Sequence, residues 1–182
     1  MLFRNRIVGG FVALVWVVVV ATAVESRSLH PELEPFRPLL GQTWSGAFPP
    51  AADGTVTVDV VRYERVLNGM AVRSVHSIND GIYGGETLFR WDAAAEQLVF
   101  HYFTTQGFVT KGVIRRNEDG SFTSVEEVEN PEQADGVTRV EAVFRVEAGR
   151  MAVESTYFRG EDAEPGHAAE YQPAPDREVV FR

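Results

Sequence analysis

From Thr55 onward, apolar and polar residues alternate with a period of two in short runs, each ended by Gly, Pro, Asn or Asp. This is the signature of half-buried antiparallel strands joined by tight turns. Asn68-Gly69 and Asp80-Gly81 are the sharpest of these turns, because two-residue hairpin loops need residues that tolerate positive φ. Taken as two-residue loops, they set Arg65 against Val72, Tyr63 against Ser74 and Val61 against His76. The second turn sets Ile78 against Tyr83, His76 against Gly85, Ser74 against Thr87 and Val72 against Phe89. Leu67, Met70 and Trp91 complete an apolar face across three strands, while Glu64 and Arg73 pair on the opposite, solvated face.

Leu98 to Thr105 and Phe108 to Arg115 form the next hairpin, with apolar residues on both faces, so the side on which His101 lies stays open. A strand from Ser121, a hairpin of Val137 to Val146 with Met151 to Phe158, and a last pair, His167 to Gln172 and Glu178 to Phe181, finish the chain. The facing of His167 is likewise open. A phase change at Val60-Val61 predicts a bulge. Ahead of the strands, Pro35 to Gly41 reads as a short helical turn carrying Phe36, Leu39 and Leu40, and Trp44 opens the first strand.

The prediction is an all-β chain of about ten or eleven strands. A sheet this long and apolar on one face hides that face and its edges by closing into an antiparallel up-and-down β-barrel.

Composition narrows the function classes. There are 17 Lys and Arg against 26 Asp and Glu, a net charge of −9, which argues against nucleic acid as a partner. The chain has no cysteine, so neither disulfides nor thiolate chemistry are expected. Arg4 and Arg6, the apolar run Ile7 to Val20, and Ala21-Thr22-Ala23 form an export signal pattern, with residues 1–23 as a cleavable signal peptide. A retained N-terminal membrane anchor is the alternative. Residues 24–34 read as a loosely ordered lead-in and residues 35–182 as one barrel domain, periplasmic or secreted, with no membrane contact after cleavage. Oligomeric state is not legible.

The N-terminal turn, the Gly41-Gln42-Thr43-Trp44 stretch and the run of hairpins resemble the lipocalin-like (calycin) superfamily, and exported bacterial domains of that type in particular. Lipocalins carry Gly-x-Trp at this place; here one more residue intervenes. The resemblance implies a hollow barrel for a small ligand, a late arginine such as Arg177 or Arg182 packed over the tryptophan, and an interior arginine that meets a ligand carboxylate. It also implies a haem alternative, since nitrobindin-type barrels hold haem through one late histidine; His167 is the candidate here.

The candidate ligand site is the inward face: Arg65 for a carboxylate, His76 with space beside Gly85, and Tyr63, Ser74, Tyr83 and Thr87 as further polar groups among the apolar walls Phe89 and Trp91. No nucleophile elbow, phosphate loop, dinucleotide fingerprint or metal-ligand spacing occurs, so no catalytic residue, metal or resident cofactor is assigned. The expected function is an exported binding module for a small apolar molecule, with a carboxylate as one option. The alternative is a barrel filled by its own aromatics that acts as a structural or interaction protein; the chain has 12 Phe, 5 Tyr and 3 Trp.

Overall fold

The computed structural model describes residues 28–182 apart from 148. The signal segment, residues 1–23, lies outside the described residues. Ten strands follow one another as an antiparallel meander: β1 Thr43–Ala47, β2 Val58–Val66, β3 Ala71–Ile78, β4 Tyr83–Asp92, β5 Gln97–Thr104, β6 Val109–Arg116, β7 Phe122–Val128, β8 Arg139–Glu147, β9 Arg150–Arg159 and β10 Asp162–Pro173. β1 pairs with both β2 and β10, so the sheet closes into a barrel with no free edge. Among the described residues no helix is long and apolar enough to cross a membrane.

One end is plugged by a 3-10 helix, Pro31–Leu39, that starts earlier than the expected Pro35 turn. Its three prolines lack the N–H donors that an α-helix would use, and its buried residues, Leu33, Phe36 and Leu39, recur every three positions. Three residues per turn stacks them on one face, which the 3.6-residue period would not do. Leu29 is buried with them, so the described part of the lead-in, from residue 28, is packed against the barrel end. Trp44, 1% exposed, donates its indole N–H to the Leu39 carbonyl at 3.2 Å and locks the plug to β1. Each such side chain contributes about 1.5–3 kcal/mol by burial. Arg182, one of the two late arginines expected over Trp44, lies beside the Gly81 turn instead.

The hairpin register agrees with the reading from sequence at every pair from Asp59↔Ile78 to Arg65↔Val72 and from Val72↔Phe89 to Ile78↔Tyr83. The loops themselves differ. Leu67, Asn68 and Gly69 all have positive φ, as do Asn79, Asp80 and Gly81, so each connection has four residues, with the same register sum as a two-residue turn. Leu67 and Met70 therefore leave the inner face and are 66% and 58% exposed at the hairpin tip.

No bulge occurs at Val60-Val61: both pair continuously with β1 and β3. Two adjacent valines are buried because both faces are covered there. Val61 points inward, while Val60 lies in an outward row with Ser77 and Gly84 over which the C-terminal segment runs. Val180 donates its N–H to Ser77 Oγ at 3.1 Å and the Phe181 ring sits against Gly84. Glu178 to Phe181 is thus an external strap, not the expected final strand. The one register shift in the barrel falls in β10 between Pro165 and Ala168.

Candidate functional site

Inside the barrel are two cavities that meet at a belt of polar side chains. The first, about 300 Å³, occupies the open end under the β1–β2, β3–β4, β5–β6, β7–β8 and β9–β10 connections. The second, about 230 Å³, sits over the N-terminal helix and is walled by Phe36, Phe89, Phe100, Phe144 and Met151. His76, Tyr102, Glu126 and His167 border both. A groove of about 500 Å³ on the outer face, by Val143, Arg145 and Glu154, is larger but lies on the solvated side of the sheet.

The belt forms because inward positions at mid-barrel on eight strands, β2 to β7, β9 and β10, carry polar residues. Asp59 (β2) accepts the Tyr171 (β10) hydroxyl at Oδ2, 2.8 Å, and lies 2.9 Å from His76 (β3) Nδ1 through Oδ1. His76 Nε2 is 2.7 Å from the Tyr102 (β5) hydroxyl, which is 2.6 Å from that of Tyr83 (β4). Close approach of these rings depends on missing side chains. A Cβ on Gly85 would come within 2.4 Å of the Tyr102 ring, and one on Gly46 within 2.9 Å of the Tyr171 ring. The space beside His76 expected at Gly85 is real, and Tyr102 fills it.

Opposite this chain, Glu126 (β7) accepts the Thr110 hydroxyl at 2.5 Å through Oε2, and Oε1 has no hydrogen-bond partner among the described residues. Among the described residues no cation pairs with it, and burial pushes its carboxyl above the usual carboxylate range. It keeps some accessible surface because it borders both hollows. His167 (β10) faces Tyr157 Oη at 2.7 Å and Ser155 Oγ at 3.2 Å through Nδ1. Burial pulls its imidazole below the ordinary histidine value and so favours the neutral ring. The phenols are held protonated: burial pushes Tyr83 up to about 12, and Tyr102, Tyr63 and Tyr171 upward as well.

Of the residues picked out from sequence, His76 and Tyr83 lie on the belt, and Tyr63, Thr87 and Phe89 line the inner chamber. Ser74 is buried and Trp91 stacks on His30 with ring centroids 6.0 Å apart; neither borders a cavity. Arg65, expected to meet a ligand carboxylate, is not placed for it. The plugging segment comes back over the β2–β3 hairpin, and Arg65 gives Nε and Nη2 to the Ser28 carbonyl at 3.2 and 3.1 Å, outside both chambers. His101 is outward, stacked on Phe103, whereas His167 is inward. Asp59, Tyr102, Glu126, Tyr157 and Tyr171 escaped the sequence reading. Asp59, alternating with Val61 and Tyr63 on the same strand face, was the available signal. Among the described residues no group of three metal-ligating side chains comes together.

Fold and interior together define a closed ten-stranded antiparallel β-barrel with a hydrogen-bonded polar belt between two hollows. Among solved structures, the barrel is similar to that of Rv2717c from M. tuberculosis, with TM-score 0.60 and 14% identity over 81% of this chain and 99% of that one. At that identity the likeness is one of fold. No family model and no curated protein matches the chain.

Proposed function

We propose that the barrel is an exported, lipocalin-like binding module that takes a small apolar molecule carrying a neutral hydrogen-bonding group through its open end. The observation that supports this best is the arrangement of the hollow: apolar walls above and below, and polar groups converging from several strands between them. A barrel packed full of its own aromatics would leave no such space, and the mouth chamber is within the lower range of ligand sites. The carboxylate option is the weaker one. Asp59 and Glu126 face the hollow, and Arg159, the guanidinium at the chamber rim among the described residues, is engaged by the Asp135 carbonyl and Glu164.

Haem finds a histidine in His167, yet a flat macrocycle would have to break the belt that separates the two hollows. The residues as placed do not suit it. Native mass spectrometry of protein purified from its own host, followed by titration with Nile red, tests the binding reading. A retained small molecule, or saturable uptake of the dye that Val140→Trp in the mouth chamber blocks, is expected. No bound mass and no dye uptake overturns it.

A further inference from the structure

The belt can be read one hydrogen at a time. Asp59 accepts the Tyr171 hydroxyl at one oxygen, and His76 Nδ1 lies 2.9 Å from the other, so an ionised Asp59 requires the hydrogen on Nδ1. With that ring neutral, Nε2 carries no hydrogen, and Tyr102, 2.7 Å away, donates to it. The Tyr102 oxygen in turn accepts the only hydroxyl hydrogen of Tyr83 at 2.6 Å. Tyr83 therefore reaches the mouth chamber as an acceptor alone, with a histidine and carboxylate behind it.

We propose that Tyr83, Tyr102, His76 and Asp59 form a proton-accepting relay for an apolar ligand that bears an acidic hydroxyl, a phenol or an enol. This rests on the reading of the interior as a binding site. The ligand O–H bond breaks and its proton passes to the Tyr83 oxygen. The former Tyr83 hydrogen goes to Tyr102, and that of Tyr102 goes to His76 Nε2. Both tyrosines end neutral, in keeping with the burial that holds them protonated. A ligand oxyanion is left accepting the Tyr83 hydroxyl, and an imidazolium is left against Asp59; no co-reactant is consumed.

The Asp59 carboxylate against Nδ1 supports the imidazolium half of that end state. His76 faces Asp59 and Tyr63 from β2, Tyr83 from β4, Tyr102 from β5, Glu126 from β7, and His167 and Tyr171 from β10, with Tyr157 from β9 across the hollow. Among these groups Asp59 is the carboxylate in direct contact with the ring, and the chamber's arginine, Arg159, stands at the rim. The relay therefore places a positive charge two tyrosines behind the bound oxyanion, which offsets the repulsion that Asp59 and Glu126 would otherwise exert on an anion. A neutral alcohol or an unactivated phenol would give the same first hydrogen bond but hold its proton; an electron-poor phenol or an enol, whose acidity approaches that of an imidazolium, releases it.

The test uses 4-nitrophenol, whose phenolate absorbs visible light while the phenol does not, bound to the full chain and titrated with pH. Nile red monitors entry to the barrel and circular dichroism the fold. In the wild type the bound nitrophenol should ionise with a constant shifted by at least about tenfold toward the phenolate relative to free probe, one pKa unit. The shift should vanish in Tyr83→Phe and in His76→Gln, each read at saturating nitrophenol so that a change in affinity does not enter. If one variant does not fold, the other decides. Equal titration of bound nitrophenol in wild type and variants overturns the relay, as does a barrel that takes up Nile red but never nitrophenol. A barrel that takes up neither overturns the binding reading and the relay with it.

Discussion

The two hollows of the barrel differ in what closes them and in what they can tolerate. The inner chamber is sealed by the 3-10 helix and walled by packed aromatics, with Phe36 4.9 Å from Phe89 and Phe144 backed by Phe122 at 4.9 Å between ring centroids. The mouth chamber is bounded by loops and by a small separate cluster of Phe108, Val128 and Val137, and its walls carry Asp59, Tyr83, Thr110 and Tyr157. One chamber is part of the core and the other is an opening beside it. Substitutions in the inner chamber should therefore read out as stability, and those in the mouth as binding.

Phe100→Ala should give the largest effect. The ring is 5% exposed, packs on Phe89 at 5.8 Å and fills the notch left by Gly112, where a Cβ would come within 2.5 Å of it. A loss of about 3–5 kcal/mol is expected in chemical denaturation. Phe108→Ala should fall at the lower end of that range or below it, because rim loops can close over the gap. Equal losses at the two sites would dissolve the distinction between chambers.

Trp44→Phe comes next. It removes the indole N–H that meets the Leu39 carbonyl at the buried end of the plug. An acceptor left dry costs about 1–3 kcal/mol, read as a lower denaturation midpoint with binding at the mouth unchanged. Arg65→Met should cost less, about 0.5–1 kcal/mol, since its bonds to Ser28 are made at a partly solvated rim. Nile red affinity should not move. A fall in affinity with unaltered stability would return Arg65 to the ligand site.

The same contrast explains what could be read from the sequence. Strand alternation and the two Asn/Asp-Gly turns are local signals, and they were enough for the barrel and for eight paired positions on each side of β3. They also placed His76 and Tyr83 on the inner face. The facing of β5 was not legible, because Phe103 and His101 outside mimic Phe100 and Tyr102 inside, and only packing against Gly85 and Gly112 decides between them. Glu126 was hidden for a similar reason. It stands in the run Glu126-Glu127-Val128-Glu129, where a charge-rich segment reads as solvated, and one residue of register separates an exposed Glu127 from an interior Glu126. Arg65 failed in the opposite sense: its face was right, but the segment that covers it returns from residues 28–39, and no local pattern announces that contact.

The smallest effect concerns Glu126 and is a difference between two pH values. Burial raises its carboxyl pKa in the folded chain, so the native state holds a proton that the unfolded chain gives up near the ordinary value of about 4.3. Below that value both states are protonated and Glu126 carries no ionisation penalty. As pH rises through the unfolded value, the unfolded chain ionises first and stability falls, until the folded carboxyl ionises too and the loss levels off. Glutamine cannot ionise and can still accept the Thr110 hydroxyl. Glu126→Gln should thus be more stable than wild type at pH 7, and the gain should shrink away as the pH approaches 4, measured by denaturant midpoint at both. His167 bears on the same window with the opposite sign, since its depressed pKa costs stability as pH falls below the unfolded value of about 6.5. It is present in both proteins, so the comparison cancels it to first order. A Glu126→Gln gain that does not change between the two pH values would mean that Glu126 is ionised in the barrel, and the mouth chamber would then select cationic or hydrogen-donating ligands in place of neutral ones.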